Sequence, residues 1–381
     1  MTLSFYEDRE QTAVKHQILT RYLSALVPIV GNWASDITYI DCFAGPWESV
    51  DSEFKDTSFA RAIHVLRSAR EVLQTRRKSP TMRCLFIERE RGAYNKLKQY
   101  CDSISDIEVT TRHWDLTEHI NDVVQFVKER NNSFPFVFID PNGWESLHIQ
   151  LIMPILSMEP GEVLINLMTS WITRFLSDES KRFDRLLGAD WQRLLQLKGE
   201  EQEDELVSSY ATAVRRAGGF NYVCTLPVMK PNQDAFHFHM IYGTRHIRGV
   251  EVFKDTEKHV IPFMHETRAK AQARRRFLES GQHTLLLPQE RYRERKFTRH
   301  QLRSLATAKS ELRSILESSK CLLYDDAWAT VMQHSGVMDA DLREWLTEWK
   351  NNGLLQITNQ HPGQRLARKG QKQFLKWSGP L

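Results

Sequence analysis

The sequence predicts an α/β protein: a doubly wound, mostly parallel sheet that closes with an antiparallel strand pair, followed by a small C-terminal module. Short apolar runs rich in β-branched and aromatic residues alternate with amphipathic helical stretches from residue 10 to 168, the pattern that right-handed βαβ crossovers produce. Two strand-like runs, 221 to 229 and 235 to 242, then follow one another across a turn too short to hold a crossover helix. Past residue 304 the pattern changes to helices and a hairpin signal.

The elements follow in order. Val14, Ile18, Leu19, Tyr22, Leu23 and Leu26 stand at helical spacing and predict a helix over 10 to 30. Ile37 to Phe43 reads as a strand buried on both faces, and Ala44-Gly45-Pro46 reverses the chain. Strands are predicted at Cys84 to Glu88, Glu108 to Arg112, Phe134 to Asp140 and Glu162 to Met168. Helices separate them at Ser58 to Leu73, Gly92 to Tyr100, Glu118 to Glu129 and Leu147 to Leu156, and a helical stretch runs from Trp171 to Ala217. Lys230 to Asp234 makes the turn between the last two strands of this domain.

The domains are expected at 1–265, with a basic helical linker at 266–303 and a winged-helix-like module at 304–381. Residues 267 to 303 hold eleven Lys and Arg against Glu279, Glu290 and Glu294, a local excess that the chain's net charge of +4 hides. Leu342, Trp345, Leu346 and Trp349 give the module a helix with one apolar face, which Asn351-Asn352-Gly353 ends. Leu354 to Ile357 and Arg365-Leu366 read as its hairpin, and Arg365 to Lys376 carries five basic residues and no acid.

Composition narrows the class. At roughly 150 residues per domain, 381 residues mean two to three domains, and 41% hydrophobic with 26% charged residues is ordinary globular usage, which excludes a disordered chain. Cys42, Cys84, Cys101, Cys224 and Cys321 are dispersed without any CxxC, so neither a disulfide framework nor a metal cluster is expected, and a cytoplasmic setting fits. The first residues lack an apolar export signal, no run approaches the ~20 apolar residues that span a bilayer, and no Walker A pattern is present.

Four acids follow four successive strands. In open α/β sheets, ligands bind outside the carboxyl ends of strands near the point where strand order reverses. Asp41, Phe43, Ala44 and Gly45 form the turn where a cofactor should lie, with Gly45 letting backbone approach it or simply making a tight turn. Glu88 can accept from ribose hydroxyls, although it stands 47 residues after Asp41 rather than the usual ~20. Asp115 can hold an exocyclic amino group of adenine, and its neighbour Trp114 suits the core. Asp140, in Asp140-Pro-Asn-Gly-Trp144, is the candidate nearest the reacting group, as general base or as an acceptor that orients a nucleophile; Asn142 and Trp144 stand with it.

This strand layout is similar to that of class I S-adenosylmethionine-dependent methyltransferases. Tyr39-Ile-Asp-Cys-Phe-Ala-Gly-Pro46, Phe86-Ile-Glu88, Phe138-Ile-Asp-Pro-Asn-Gly143 and Leu164-Ile-Asn-Leu-Met-Thr-Ser-Trp-Ile-Thr-Arg174 together resemble the three-Cys-motif partner protein family over about 10 to 265. The resemblance implies a methyltransferase-like fold with S-adenosylmethionine as cofactor, Asp41 to Gly45, Glu88 and Asp115 lining its pocket, and Asp140 at the catalytic rim. It also implies a partner protein carrying three cysteines, and Lys15 matches a family position. Trp47 stands where a second Gly often follows Gly45-Pro46. Asn142-Gly143 replaces the second Pro and the aromatic of the Asp-Pro-Pro-aromatic run of amino-group methyltransferases, leaving Trp144 to supply a stacking face.

Arg174 is placed either to bind phosphate bidentately or to pair with an acid. Arg274, Arg275, Arg276, Arg295 and Lys296, with Phe277, Tyr292 and Phe297 among them, suit nucleic acid; the same segment also reads as a solvated connector. His237 and His239 share a strand face but lack a third ligand, which makes them ordinary strand histidines. The leading expectation is a methyltransferase-like protein acting on nucleic acid. The alternatives are an inactive nucleic-acid-binding adaptor and a phosphodiesterase using Asp41, Glu88 and Asp140 around a metal.

Overall fold

Asp36–Asp41 (β1) is buried at all six positions because strands pair with both its edges and helices cover both its faces. In the computed structural model, which describes residues 3–46, 49–175, 186–187, 189–281 and 295–379, the chain divides into two units, Met1–Arg293 and Glu294–Leu381.

The first unit is built on a seven-stranded sheet. Its strands are β1, Thr81–Glu88 (β2), Glu108–His113 (β3), Ser133–Ile139 (β4), Glu162–Leu167 (β5), Tyr222–Met229 (β6) and Phe236–Thr244 (β7), in the order β3-β2-β1-β4-β5-β7-β6. β1 to β5 are parallel, and β7 runs antiparallel between β5 and β6. This is the expected mostly parallel sheet with a terminal antiparallel pair. The order reverses between β1 and β4, so the carboxyl ends of those two strands bound the crevice where such sheets take ligands.

Alternation along the strands sorts side chains onto two faces. One face carries Tyr39, Phe86, Phe136 and Tyr242. Glu10–Val30 (α1) covers it, with the Tyr22 ring stacked 5.6 Å from Phe136. Ser58–Thr75 (α2) and Ile247–Ser280 (α8) add Phe59 against Phe86 and Phe253 against Tyr242. The six residues that predict α1 from sequence are all buried, so the apolar stripe marks the face of the helix that packs on the sheet. The other face presents Ile40, Cys42, Leu85, Ile87, Val137, Ile139, Val163 and Ile165 to a second core. Ile120–Lys128 (α4), Ile149–Leu156 (α5) and Gly199–Gly218 (α7) close that core. Arg91–Asp102 (α3) and the seven-residue Thr169–Phe175 (α6) complete the helices of this unit used below. At the amino ends of the strands, Arg83 forks onto Asp36 at 2.9 and 3.0 Å, both side chains 3% exposed.

The second unit contains Arg295–Ser319 (α9), Cys321–Leu323 (β8), Tyr324–Val331 (α10), Asp339–Asn351 (α11), Leu355–Thr358 (β9) and Phe374–Trp377 (β10). Its three strands are antiparallel in the order β8-β10-β9. Leu342, Trp345, Leu346 and Trp349 point inward as their spacing predicts, and Trp349 meets Trp377 edge-on at 5.5 Å.

Two expectations change. The hairpin partner of Leu355–Thr358 is Phe374–Trp377, not Arg365-Leu366: Leu375 and Trp377 alternate into the core, whereas Arg365-Leu366 has no such period, so the basic run becomes a loop. The division falls at Arg293/Glu294 rather than at 265, because α8 runs through 265 without a break; residues 266–303 comprise the end of α8, a segment outside the described residues and the start of α9. Among the described residues no helix is long and apolar enough to cross a membrane.

Candidate functional site

Strand register places three of the four sequence-selected acids on one face. Asp41 lies level with Phe86 on β2 and Phe138 on β4. Glu88 and Asp140 each stand two residues further along, hence on the same face as Asp41 and about 7 Å nearer the crevice. Ile139 is level with Ile165, so Asn166 on β5 stands beside Asp140 on this face too.

Asp41 is fully buried and organises the turn that follows it. Its Oδ1 accepts from the Phe43 N–H at 3.1 Å, and its Oδ2 accepts from the Ser58 hydroxyl at 2.6 Å and from Tyr39 at 3.4 Å. The Ala44 N–H bonds the Ile87 carbonyl at 2.8 Å, which holds the turn against β2; Gly45 is half-buried. Burial pushes the Asp41 carboxyl up to about 7, against the hydrogen bonds from Ser58 and Phe43. The Asp140 charge adds to the rise and Lys15 opposes it, so the three groups share one electrostatic field.

Asp140 is held from two sides. Lys15 Nζ on α1 donates to Oδ2 at 2.5 Å, and Asn166 Nδ2 donates to Oδ1 at 2.6 Å. The two side chains of the ion pair keep 13% and 17% of their exposure, so the pair is neither fully dry nor solvated. Lys15 reaches this point because it lies seven residues before Tyr22, two helical turns along the same face of α1. Since Asn166 turns its amide nitrogen to the carboxylate, its Oδ1 points away, and that buried oxygen accepts no hydrogen bond. Sequence reading does not single out Asn166; the signal that could have found it is a single polar residue within the apolar run Val163-Leu-Ile-Asn-Leu167, and for Lys15 the signal is the resemblance alone.

Glu88 is buried and accepts from the Glu90 N–H at 2.6 Å, while Glu90 caps α3 through Gly92 and Ala93. Asp115 follows β3 and caps the turn after it. Partial burial raises its pKa, but bonds from the Thr117 hydroxyl and N–H and from Arg89 outweigh that and hold it below the ordinary value.

Other sequence candidates stand elsewhere. Pro141-Asn142-Gly143 turns the chain with Gly143 at φ 118°, a conformation that favours glycine, and leaves Asn142 exposed. Trp144 is 6% exposed and belongs to the core on the opposite sheet face, so its ring packs the interior instead of offering a stacking surface beside Asp140. Trp114 packs partly buried against that same core. Arg174 is exposed at the end of α6. Arg274 reaches Glu7, Asp8 and Glu10, and Arg275 reaches Glu279, so both charges are offset within the unit. Arg276 is half-buried on α8; Arg295 and Lys296 open α9. Trp47, Glu290, Tyr292 and Glu294 lie outside the described residues. His239 bonds Thr169 Oγ1 at 3.0 Å, and burial, with Lys230 and Lys15 beside it, takes His237 down to about 4. Among the described residues no three of His, Cys, Asp and Glu come together as a metal would require, so the carboxylate triad of the hydrolytic alternative does not converge.

No protein-family model and no curated protein matches this sequence. Solved structures similar to it include a Legionella pneumophila protein of domain family DUF519, at 13% identity and TM-score 0.37, over 63% of this chain and 85% of that one. Loganic acid methyltransferase with SAH aligns at 9% identity and TM-score 0.31 over 72% and 90%. A cyclopropane synthase from Mycobacterium tuberculosis aligns at 10% identity and TM-score 0.29 over 66% and 79%. The strand order and the antiparallel β7 make the first unit methyltransferase-like in fold.

Proposed function

We propose that the chain binds S-adenosylmethionine and directs methyl transfer to nucleic acid in the cytoplasm, together with a partner protein carrying three cysteines. The observation that supports this best is the rim of the crevice, where Asp41, Glu88, Asp140 and Asn166 share one sheet face at the point where strand order reverses. The residues present fit the cofactor: Glu88 for ribose hydroxyls, Asp115 for the adenine amino group, and the Phe43–Gly45 turn for close backbone approach. The Asn166 Oδ1, buried with nothing donating to it, suits an N–H of a bound group. The cofactor supplies an electrophilic methyl group.

The chain's own part is orientation and charge. Lys15 and Asn166 fix both oxygens of Asp140, so the carboxylate does not rotate when an acceptor arrives. Asn166 Oδ1 would hold an acceptor N–H beside that fixed anion, the Asp140 carboxylate would stabilise the positive charge that develops on the acceptor nitrogen, and the N–H proton would leave to solvent after transfer. The adaptor reading draws on the same contact, since the Lys15 ammonium occupies the Asp140 oxygen that an acceptor's amino group would use.

The second unit is read as a winged helix. Its element order, helix, strand, two helices and two strands, with β10 central in the sheet, supports that reading. The three-cysteine partner rests on the sequence resemblance alone, and the free state of all five cysteines suits a cytoplasmic setting.

Calorimetric titration of the full chain with S-adenosylmethionine and S-adenosylhomocysteine tests the proposal, with Glu88→Gln and Asp41→Asn as variants. Micromolar binding that Glu88→Gln abolishes without lowering the melting temperature supports a cofactor site. Absence of binding to the folded wild-type chain removes the methyltransferase reading and leaves the adaptor.

A further inference from the structure

We infer that the second unit contacts nucleic acid through the loop between β9 and β10, by its phosphates, and not through helix α11. The inference rests on the nucleic-acid reading above. Arg365, Arg368, Lys369, Lys372 and Lys376 are all exposed in this loop and the strand it enters, and no acid lies among them. Helix α11 has the opposite character: Asp339, Asp341, Glu344 and Glu348 stand against Arg343 and Lys350. Both cations are engaged within the unit, Arg343 by Tyr324 and Lys350 by the Arg365 carbonyl at 3.0 Å. Glu348 is paired with Lys309 at 2.6 Å, which leaves Asp339, Asp341 and Glu344 against two engaged cations, so the helix offers a polyanion no free positive charge, whereas the loop attracts one.

The loop is also built to hold its shape. Gln373 is 1% exposed and ties three points together, donating to the Asn359 carbonyl at 3.2 Å and to Gln364 Oε1 at 2.8 Å while accepting from the Arg368 N–H at 2.7 Å. Asn359 Nδ2 bonds the Lys372 carbonyl at 3.2 Å, and Gln364 Nε2 bonds the Leu366 carbonyl at 2.7 Å. Asp325, the acid that faces the loop from α10, is committed to the Gly370 N–H at 3.0 and 3.1 Å. Lys369 lies 3.9 Å over the Trp328 ring, which orders its stem. Ordering the main chain before binding removes part of the entropy cost of association.

The chemistry favours phosphates on a nucleic acid over a lipid surface. Across the loop and the strand it enters, Phe374, 36% exposed, is the one exposed large hydrophobic side chain, and a single ring amid five cations gives little apolar surface to enter a bilayer; Leu366 is half-buried and Ala367 buried. Arginine forks at 365 and 368 match phosphate oxygens two at a time.

The test is fluorescence anisotropy of the full chain with a labelled random-sequence DNA duplex, and with the RNA duplex of the same sequence, across about 50 to 200 mM salt. The variant neutralises the loop by Arg365→Gln, Arg368→Gln, Lys369→Gln and Lys372→Gln together; Arg343→Gln on α11 is the comparison, and thermal melting checks both. Each lost phosphate contact removes about 0.9 from the slope of log affinity against log salt, so the loop variant is expected to lose about 3 to 4 in slope and at least about a hundredfold in affinity. Arg343→Gln is expected to bind as wild type does. Wild-type binding that survives in the loop variant, or that falls with Arg343→Gln, overturns the loop assignment while the nucleic-acid reading stands. A wild-type chain that binds neither duplex, or that in a parallel co-sedimentation binds phosphatidylserine vesicles through the loop instead, overturns both, and the cofactor titration is independent of that result.

Discussion

Replacing Asp41 by Asn tests whether the rim of the crevice is as dry as its packing implies. Burial lifts this carboxyl from its ordinary 3.8 to about 7 in the folded chain, even with hydrogen bonds from Ser58 and Phe43. Because the folded value lies above the unfolded one, the folded chain keeps a proton that the unfolded chain has already released between those two values. The stability from that proton is fully present below about pH 4 and is lost as pH rises through about 7. Over the whole window it amounts to about 4 kcal/mol, and most of the loss, about 2 to 3 kcal/mol, falls between pH 5 and pH 8 at about 1.4 kcal/mol per pH unit. An Asn carries no such titration, so the gap between Asp41→Asn and wild type should move by that amount in favour of the variant as pH rises from 5 to 8. Hydrogen exchange of β1 and β4 peptides along a urea series reads the first unit separately from the second. Parallel pH profiles for the two proteins would refute the argument, because they would mean that Asp41 ionises as a solvated carboxylate does.

Three other substitutions separate packing from chemistry. Arg83→Met strands the Asp36 carboxylate, both partners being 3% exposed, and is expected to cost about 3 to 5 kcal/mol in urea unfolding; adding Asp36→Leu should recover most of it. Trp144→Ala should cost about 3 to 5 kcal/mol as a core truncation, whereas a ring serving only to stack an acceptor would leave the unfolding midpoint unchanged. Gly249→Ala places a methyl against Tyr242, Thr244 and Glu162, which form one buried hydrogen-bonded cluster with Tyr22, and should lower stability by about 1 to 3 kcal/mol; an unchanged melting temperature would show that the cluster yields.

The sheet was legible because its signal is local. A strand such as Phe134-Pro-Phe-Val-Phe-Ile139 is buried on both faces, so its composition alone marks it, and the stripe from Val14 to Leu26 marks α1 in the same way. The second unit was less legible. Phe374-Leu-Lys-Trp377 is four residues long, and β8, Cys321–Leu323, is three, too short to carry a period; their places come from pairing with each other across 50 residues of sequence. Charge counts misled for a similar reason. Arg274 reads as one of eleven basic residues along the segment, yet the fold brings Glu7, Asp8 and Glu10 from the far end of the unit to meet it.

The crevice shows where sequence reading of a site stops. Strand ends identify Asp41, Glu88 and Asp140, because the carboxyl ends of parallel strands are where a ligand site forms. What those carboxylates can do depends on groups that no spacing connects to them: Lys15 lies 125 residues from Asp140 in the chain and Asn166 lies 26 away. Each arrives through a packing decision made for other reasons. Asn166 is brought by the register of β5 on β4, and Lys15 by the phase of α1, which the Tyr22 contacts with Phe136 and Glu162 fix at the opposite ends of the strands. The same α1 face therefore sets the buried cluster at the amino ends and the ion pair at the carboxyl ends. A change that rotates α1 must disturb both together, so the state of Asp140 is coupled to the packing of the helix that covers it.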